Sequence, residues 1–130
     1  MLEQSKINTV GLIPARWAST RFEGKPLAMI CGQTMIQRVY DRALMSKRLD
    51  EVYVVTDDDR IENYCNENTL NVIRINQDVK TGTDRIALTL DTLDTLDADI
   101  YVNIQGDEPL IDPDAIDRLV EYYNPNIGTA

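Results

Sequence analysis

Short apolar runs alternate with amphipathic helical patterns along the whole chain, and this alternation constrains the fold more than any other feature. β-Branched and apolar residues cluster at 9–13, 52–56, 71–75 and 100–104, each run having the length of a buried strand. Strands that alternate with helices imply a mainly parallel sheet joined by right-handed crossovers and covered on both faces. The sequence therefore predicts a doubly wound α/β fold.

Each predicted helix carries a signal for where it begins. Thr34 is an N-cap residue type at the start of a helix that extends to about Lys47. The aspartates at 57–59 suit the first turn of a second helix, and Asp112 with Pro113 suit that of the last one. The apolar faces predicted for the four helices comprise Met35, Ile36, Val39, Tyr40, Ala43 and Leu44, then Ile61, Tyr64 and Cys65, then Ile86, Ala87, Leu90 and Leu93, and finally Ile116, Leu119 and Val120.

The connections after the strands are where chemistry is expected. Ligands of parallel α/β sheets bind beyond the carboxyl ends of the strands, here after Ile13, Val55, Ile75 and Ile104. Pro14 is predicted to fix the exit of the first strand. Residues 15–33 have no sustained period and predict a long loop with a brief extended piece at 27–30. Loops of this length are usually functional.

Composition removes several functional classes. A formal charge of −9 disfavours nucleic-acid binding. The chain contains no histidine, and Cys31 and Cys65 lie far apart, which excludes the usual zinc sites and Ser-His or Cys-His catalysis. Both cysteines are expected to be reduced, small apolar residues. The first eight residues contain no long apolar stretch, so neither a signal peptide nor a membrane span is predicted, and a cytoplasmic location is the default expectation.

The loop after the first strand is cationic in an otherwise acidic chain. Arg16, Arg21 and Lys25 lie within ten positions, together with two hydroxyl side chains and Gly24. Guanidinium and ammonium groups can bind a triphosphate while backbone N–H groups approach it closely. The Walker A pattern is not met, because Pro26 follows Gly-Lys, and the G-x-G-x-x-G fingerprint is missing. These absences disfavour a P-loop NTPase and a dinucleotide-dependent dehydrogenase.

Two further loops carry polar side chains at the ends of strands. The segment 105–110 reads QGDEPL, and its Asp107 is a candidate ligand for Mg²⁺ bound to nucleotide phosphates, although an acidic turn is the alternative interpretation. The segment 78–85 reads DVKTGTDR, and a capped helix start explains it without a ligand. Capping also explains the aspartates at 57–59.

Taken in order, five motifs resemble those of the CMP-Kdo synthetases, the 3-deoxy-manno-octulosonate cytidylyltransferases. They are IPAR at 13–16, STR at 19–21, GKPL at 24–27, TGTDR at 81–85 and NIQGDEP at 103–109. The resemblance spans nearly the whole chain and implies a Rossmann-like nucleotidyltransferase fold. It also implies Mg²⁺-dependent transfer of CMP from CTP to the anomeric hydroxyl of an eight-carbon sugar acid, with release of pyrophosphate, in the synthesis of lipopolysaccharide or capsule precursors.

The resemblance assigns roles residue by residue. The residues that would bind the triphosphate are Arg16, Ser19, Arg21 and Lys25. Those near the cytosine would be Pro14, Ala15 and Gly82, with Gln105 facing both nucleotide and sugar. Asp107 would ligate Mg²⁺, and the catalytic set would be Arg21, Lys25 and Asp107.

Three positions depart from the family pattern. Glu23 stands where a proline often precedes Gly-Lys, and it places an acid beside the proposed phosphate loop. Val79 stands where relatives can have histidine, and Thr81 replaces a serine before Gly-Thr. The last two departures affect the part of the pattern that concerns base recognition.

Family members are considerably longer than 130 residues, so the chain is expected to be the nucleotide-binding portion of a single cytidylyltransferase domain. In the family, the segment that follows supplies a second metal-binding aspartate, most of the sugar site and the dimer contacts. We therefore expect residues 1–130 to be a fragment or truncated product of a protein whose full-length form is a homodimer. Two alternatives stay open: a nucleotidyltransferase for another sugar acid or a sugar phosphate, and an inactive nucleotide-binding fragment. The GKPL run disfavours the sialic-acid type.

Overall fold

A computed structural model describes residues 8–17, 23–75 and 98–123 of the chain. Its elements in chain order are β1 (Thr9–Ala15), a 3-10 turn (Lys25–Leu27), β2 (Met29–Ile30), β3 (Gln33–Thr34), α1 (Met35–Leu44), β4 (Glu51–Thr56), α2 (Asp59–Glu67), β5 (Val72–Arg74), β6 (Ile100–Asn103) and α3 (Pro113–Tyr123).

The main sheet is parallel throughout its described part. Its strand order is β5-β4-β1-β6, so β1 is a central strand with β4 on one side and β6 on the other. All four predicted strands are present, with ends that differ by at most two residues from the sequence expectation. The parallel α/β class is therefore confirmed.

Alternate residues of β1 enter two different parts of the core. Val10 and Leu12 pack with Val55 in one cluster, whereas Ile13 and Ala15 join the larger cluster beneath the described helices. All four β1 side chains are at most 2% exposed. Because successive strand residues point to opposite faces, both faces of the sheet are buried here, as a doubly wound fold requires.

The prediction that Pro14 ends the first strand was wrong, because β1 continues through Pro14 to Ala15. The backbone oxygen of Leu12 accepts a hydrogen bond from the Ile104 N–H at 2.9 Å, so Leu12 faces the β6 side. Pro14, two residues on, faces the same side, but the pairing with β6 has ended by then. A proline is tolerated at this position because no strand within the described ranges needs its missing N–H.

All three helix starts predicted within the described residues are confirmed. The last is α3, which begins at Pro113, where the Asp112 carboxylate accepts a hydrogen bond from the Asp114 N–H at 2.9 Å. The Thr34 hydroxyl accepts a hydrogen bond from the Gln37 N–H at 3.2 Å at the start of α1. The Asp58 carboxylate accepts hydrogen bonds from the N–H groups of Arg60 and Ile61, at 2.8 and 3.1 Å. The aspartate run therefore caps α2, as the sequence indicated.

Three side chains differ from the sequence expectation. Leu119 is 46% exposed rather than inward-facing, and Leu44 is exposed at the end of α1. Cys31 is exposed as well, in the turn between β2 and β3, where its backbone has φ 49°. That hairpin lies in the region predicted as a long loop. The predicted helix at 86–93 lies outside the described residues.

Candidate functional site

The carboxyl ends of β1 and β6 lie side by side, because the two strands are parallel neighbours. The segment that leaves β1 starts with Arg16, and the one that leaves β6 starts with Ile104 and Gln105. Pro14 and Ala15 form the last two positions of β1 itself. The first-loop and QGDEP motifs therefore meet at one edge of the sheet, as the strand-end rule predicted.

Gly106 lets the two segments approach each other closely. A Cβ atom built on Gly106 would lie 2.5 Å from the backbone oxygen of Pro14. No real side chain tolerates that separation, so only glycine fits between β1 and Asp107. The glycine thereby determines how near Asp107 lies to the end of the central strand.

Lys25 and Asp107 meet across this edge. The Lys25 ammonium nitrogen lies 3.6 Å from an Asp107 carboxylate oxygen, and the two side chains are 38% and 57% exposed. An ion pair exposed to this degree adds little to stability, because water screens it. Both groups therefore remain accessible to a ligand. Lys25 begins the 3-10 turn directly after Gly24, whose φ of 73° favours glycine.

The structure does not describe every predicted site residue. Pro14, Ala15, Arg16, Lys25, Gln105 and Asp107 all lie at or near the edge where β1 and β6 end. The predicted residues Ser19, Arg21 and Gly82 lie outside the described part of the chain. Of the described site residues, Arg16 is half-buried and Gln105 is exposed.

Two arginines of α1 hold the loops that flank this edge. The Arg42 Nε–H donates to the backbone oxygen of Ile111 at 2.8 Å, just beyond the Asp107 turn. The Arg38 Nε–H donates to the backbone oxygen of Ile30 at 2.7 Å, on the hairpin that follows Lys25. Sequence analysis did not identify either contact. The available signal was their spacing of four residues, which places both on one side of the helix.

An aromatic contact connects the loop after β1 to α2, and sequence analysis missed it too. The Arg60 guanidinium carbon lies 3.4 Å from the centroid of the Trp17 ring. The same guanidinium pairs with the Asp58 carboxylate at 2.8 Å. The hydrogen bond to Asp58 is the main cause that raises the pKa of Arg60, whereas burial alone would lower it.

The donors at this edge fit one mode of magnesium binding. Within residues 8–17, 23–75 and 98–123, no group of three or more carboxylate, cysteine or histidine side chains could form a dedicated metal cage. Asp107 is an exposed carboxylate beside a cationic loop. Mg²⁺ commonly uses one or two carboxylates and completes its shell with substrate phosphates and water. A single exposed carboxylate such as Asp107 is consistent with that mode.

Together, the parallel sheet and a carboxyl edge with cations, a tight glycine turn and a carboxylate are typical of α/β proteins that bind a ligand beyond the ends of their strands. The chain belongs to the cytidylyltransferase family, whose sequence profile matches residues 10–128. None of the helices in the described part of the chain is long and apolar enough to cross a membrane.

Relatives within this family are similar along most of the chain. The 8-amino-3,8-dideoxy-manno-octulosonate cytidylyltransferase of Shewanella amazonensis is 45% identical over 122 residues, which cover 94% of this chain and 50% of that protein. The enzyme of the same name from Shewanella halifaxensis is 48% identical over the same length. The chain therefore spans about half the length of the curated relatives it matches.

Solved structures agree with this assignment. A CMP:2-keto-3-deoxy-manno-octonic acid synthetase in complex with CTP is 40% identical, with a TM-score of 0.84 over 93% of this chain and 49% of that one. A cytidylyltransferase from Leptospira borgpetersenii is 31% identical, with a TM-score of 0.77 over 95% of this chain and 51% of that one. The Rossmann-like nucleotidyltransferase fold inferred from the motifs is thereby confirmed.

Proposed function

We propose that the protein to which this chain belongs transfers CMP from CTP to a manno-octulosonate sugar acid and releases pyrophosphate. The observation that carries the proposal is the meeting of Lys25 and Asp107 at the edge where β1 and β6 end. Family membership supports the cytidylyl transfer, and the similar synthetase that was solved with CTP supports the choice of nucleotide.

In the proposed reaction, the anomeric hydroxyl oxygen of the sugar acid attacks the α-phosphorus of CTP. A new phosphorus–oxygen bond forms as the bond to the β-phosphate bridging oxygen breaks, and pyrophosphate leaves. The hydroxyl proton passes to solvent. Positioning and charge stabilisation dominate such phosphoryl transfers, so the reaction needs no histidine.

The chain's cations would bind the triphosphate. Lys25 lies at the loop end and Arg16 directly after β1, so both can approach phosphates at the carboxyl edge. The resemblance adds Ser19 and Arg21 to this set. In the complex, these side chains would pair with the phosphates of the nucleotide. This local attraction would offset the long-range repulsion between a nucleotide and an acidic chain.

Asp107 would hold Mg²⁺ together with the nucleotide phosphates. When bound, the ion would neutralise phosphate charge and so make pyrophosphate a better leaving group. Asp107 is paired with Lys25 in the structure. We infer that ligand binding would separate this pair, so that the ammonium could bind a phosphate and the carboxylate could hold the ion. The ion pair places one positive and one negative group within reach of the same ligand.

We assign recognition of the base and of the sugar to residues at the same edge of the sheet. Pro14 and Ala15 form the end of β1, and backbone groups there can meet a cytosine edge, with Gly82 as a further contact implied by the resemblance. Gln105 is exposed beside them and can donate and accept hydrogen bonds. The acidic sugar acceptor and the homodimer of the full-length form stay predictions from the resemblance.

Two sugar acids fit the proposal. The similar solved synthetase is named for 2-keto-3-deoxy-manno-octonic acid, whereas the curated relatives are named for its 8-amino-3,8-dideoxy form. The two acceptors differ at carbon 8, where a hydroxyl is replaced by an amine that is cationic at neutral pH. Recognition of that amine needs a carboxylate or carbonyl partner.

The direct experiment measures the release of pyrophosphate from CTP in the presence of Mg²⁺, with each sugar acid in turn. It uses the 130-residue chain and, in parallel, the longer protein of which, we propose, it forms the nucleotide-binding portion. We expect release with one of the two acids in the longer protein. CTP binding without release in the short chain would favour a nucleotide-binding fragment. Failure of both forms to bind CTP would contradict the proposed function.

A further inference from the structure

Four residues form a continuous set of contacts between α2 and the cationic loop, and we call this set the Trp17 stack: Asp58, Arg60, Trp17 and Gly24. At its α2 end, the Asp58 carboxylate is fixed by the N–H groups of the first helical turn. It accepts a hydrogen bond from an Arg60 terminal nitrogen at 2.8 Å. The guanidinium is thereby held over the Trp17 ring, 3.4 Å from its centroid.

The contacts at the loop end of the stack, between Trp17 and Gly24, are equally short. The Gly24 N–H donates to the Trp17 backbone oxygen at 2.7 Å, which joins the two ends of the segment 17–24. The indole also covers the Gly24 backbone, because a Cβ atom at Gly24 would lie 2.8 Å from a ring carbon. Trp17 therefore contacts Gly24 through both its backbone and its ring.

The stack lies next to both described cations of the site. Arg16 precedes Trp17, and Lys25 follows Gly24. Trp17 also packs against the main hydrophobic core, so its ring is supported from below while Arg60 lies over its face. A ring that is held on both sides restricts where the neighbouring backbone can lie. The placement of Arg16 and Lys25 thus depends on Trp17.

The charge of Arg60 is already balanced within the protein. Its hydrogen bond to Asp58 and the charges of Asp58, Glu23 and Asp59 raise the pKa of Arg60. Glu23, the acid that replaces the family's proline, thus has a cation near it. Two of its donors are already hydrogen-bonded to Asp58, so fewer are available to a phosphate, but the flat face of the guanidinium still stacks on the indole.

We propose that Arg60 is a positioning residue for nucleotide binding: it acts through Trp17 to hold the cationic loop, without touching the nucleotide. This inference rests on the proposed function, because it takes that loop to be the triphosphate site. It concerns a helix that the resemblance left outside the site.

The test is a double-mutant cycle on CTP affinity, measured by calorimetry in Mg²⁺. The variants are Arg60→Ala, Trp17→Leu and their combination, with Arg118→Ala as a control that removes an exposed arginine from α3. We expect Arg60→Ala to weaken CTP binding roughly three- to tenfold. The double variant should bind within about twofold of Trp17→Leu alone, because residues in one chain of contacts are not additive. If the losses of CTP affinity in the two single variants multiply in the double variant, the proposal is overturned.

A second substitution separates stacking from charge. Arg60→Lys keeps the positive charge but loses the flat guanidinium and its paired hydrogen bonds to Asp58. We expect it to bind CTP almost as weakly as Arg60→Ala. Wild-type affinity in Arg60→Lys would show that Arg60 acts by charge, and would contradict a positioning role.

A third readout does not require CTP. Trypsin cleavage after Arg16 and Arg21 should accelerate in Arg60→Ala, at an unchanged melting temperature, and not in Arg118→Ala. Trp17 is the single tryptophan, so acrylamide quenching of its fluorescence reports unfolding of the loop in the same samples. If neither the wild-type chain nor the longer protein binds CTP, the proposed function fails, while the cleavage rates still test the role of Arg60 in the Trp17 stack. Equal cleavage in all variants would overturn it.

Discussion

Gly106 leaves room for the Pro14 backbone oxygen at the point where β1 and β6 end. A methyl group there would lie 2.5 Å from that oxygen, which belongs to the central strand and cannot move without disturbing the sheet. The turn that carries Asp107 would have to shift instead. Such a shift separates Asp107 from Lys25 and misplaces the carboxylate relative to a bound nucleotide.

We therefore expect Gly106→Ala to reduce cytidylyl transfer on the order of tenfold to a hundredfold, since misplacement by about an ångström has effects of that size. The control is Gly32→Ala, where the Cβ meets nothing within 4 Å and only the left-handed backbone is strained. Gly32→Ala should cost about 1 kcal/mol of stability and leave transfer unchanged. Equal transfer rates in the two variants would contradict the role of Gly106.

The sequence could predict some of these contacts and not others. Lys25 and Asp107 were placed together by a rule that concerns whole strands: the carboxyl ends of parallel strands share one edge. The contact of Trp17 with Arg60 depends instead on side-chain directions in two separate segments. No period or motif reports such directions. The close approach of Gly106 to the Pro14 backbone oxygen could not be predicted either, because Pro14 was expected to end the strand rather than to belong to it.

Helix α3 is joined to the turn after α1 by one buried carboxylate. Asp117 accepts hydrogen bonds from the Ser46 hydroxyl at 2.5 Å and from the N–H groups of Lys47 and Arg48 at 3.0 Å each. Burial by itself raises the pKa of Asp117, but these hydrogen bonds and the Arg48 charge outweigh it, and the pKa is lowered from its usual value.

We expect Asp117→Asn to lower the free energy of unfolding by about 1–3 kcal/mol at pH 7, because an amide nitrogen would then face backbone N–H donors. A carboxyl with a lowered folded pKa stabilises the fold above its unfolded pKa, and this contribution is lost as pH falls through the folded value. The difference between wild type and variant should therefore shrink from pH 5 to pH 3 in urea unfolding.

The matched control for this measurement is Asp114→Asn on the same helix, where the side chain is exposed. It should change stability by less than about 0.5 kcal/mol at every pH. A difference between wild type and Asp117→Asn that stays constant down to pH 3 would contradict the linkage to this carboxylate.

The same contacts explain why the inward face of α3 was only partly predicted. Ile116 and Val120 are buried as expected, but the third buried position is Asp117 rather than Leu119. An apolar period identifies the stripe of a helix only where its neighbours are apolar too. Here the neighbouring turn presents N–H groups and a hydroxyl, so the buried stripe accommodates a carboxylate that pairs with them.

The whole chain has a formal charge of −9, yet its proposed function requires it to bind a polyanion. Net charge acts at long range and is screened by salt, whereas a binding edge depends on the groups within a few ångströms of the ligand. Arg16 and Lys25 lie at that edge. The distribution of charge therefore matters more than its sum.

Fold class was predictable because four strand–helix alternations over-determine a parallel sheet. The strand order and the hairpin of β2 and β3 were not, since no local pattern reports which strands pair. Function was suggested by the order of the motifs, and family membership supports it along residues 10–128. The chain matches about half the length of its relatives, so the sugar acid was not identified from these residues.

The proposed function requires that Lys25 and Asp107 bind the same magnesium-bound CTP, and calorimetric titration of CTP with and without Mg²⁺ measures whether they do. Lys25→Met should weaken binding roughly tenfold or more, the effect of one lost charged hydrogen bond, while Lys47→Met should not. Asp107→Asn should abolish the gain in affinity that Mg²⁺ gives the wild type. Wild-type affinity in Lys25→Met, with an unchanged Mg²⁺ effect in Asp107→Asn, would show that the two residues do not bind the same magnesium-bound CTP.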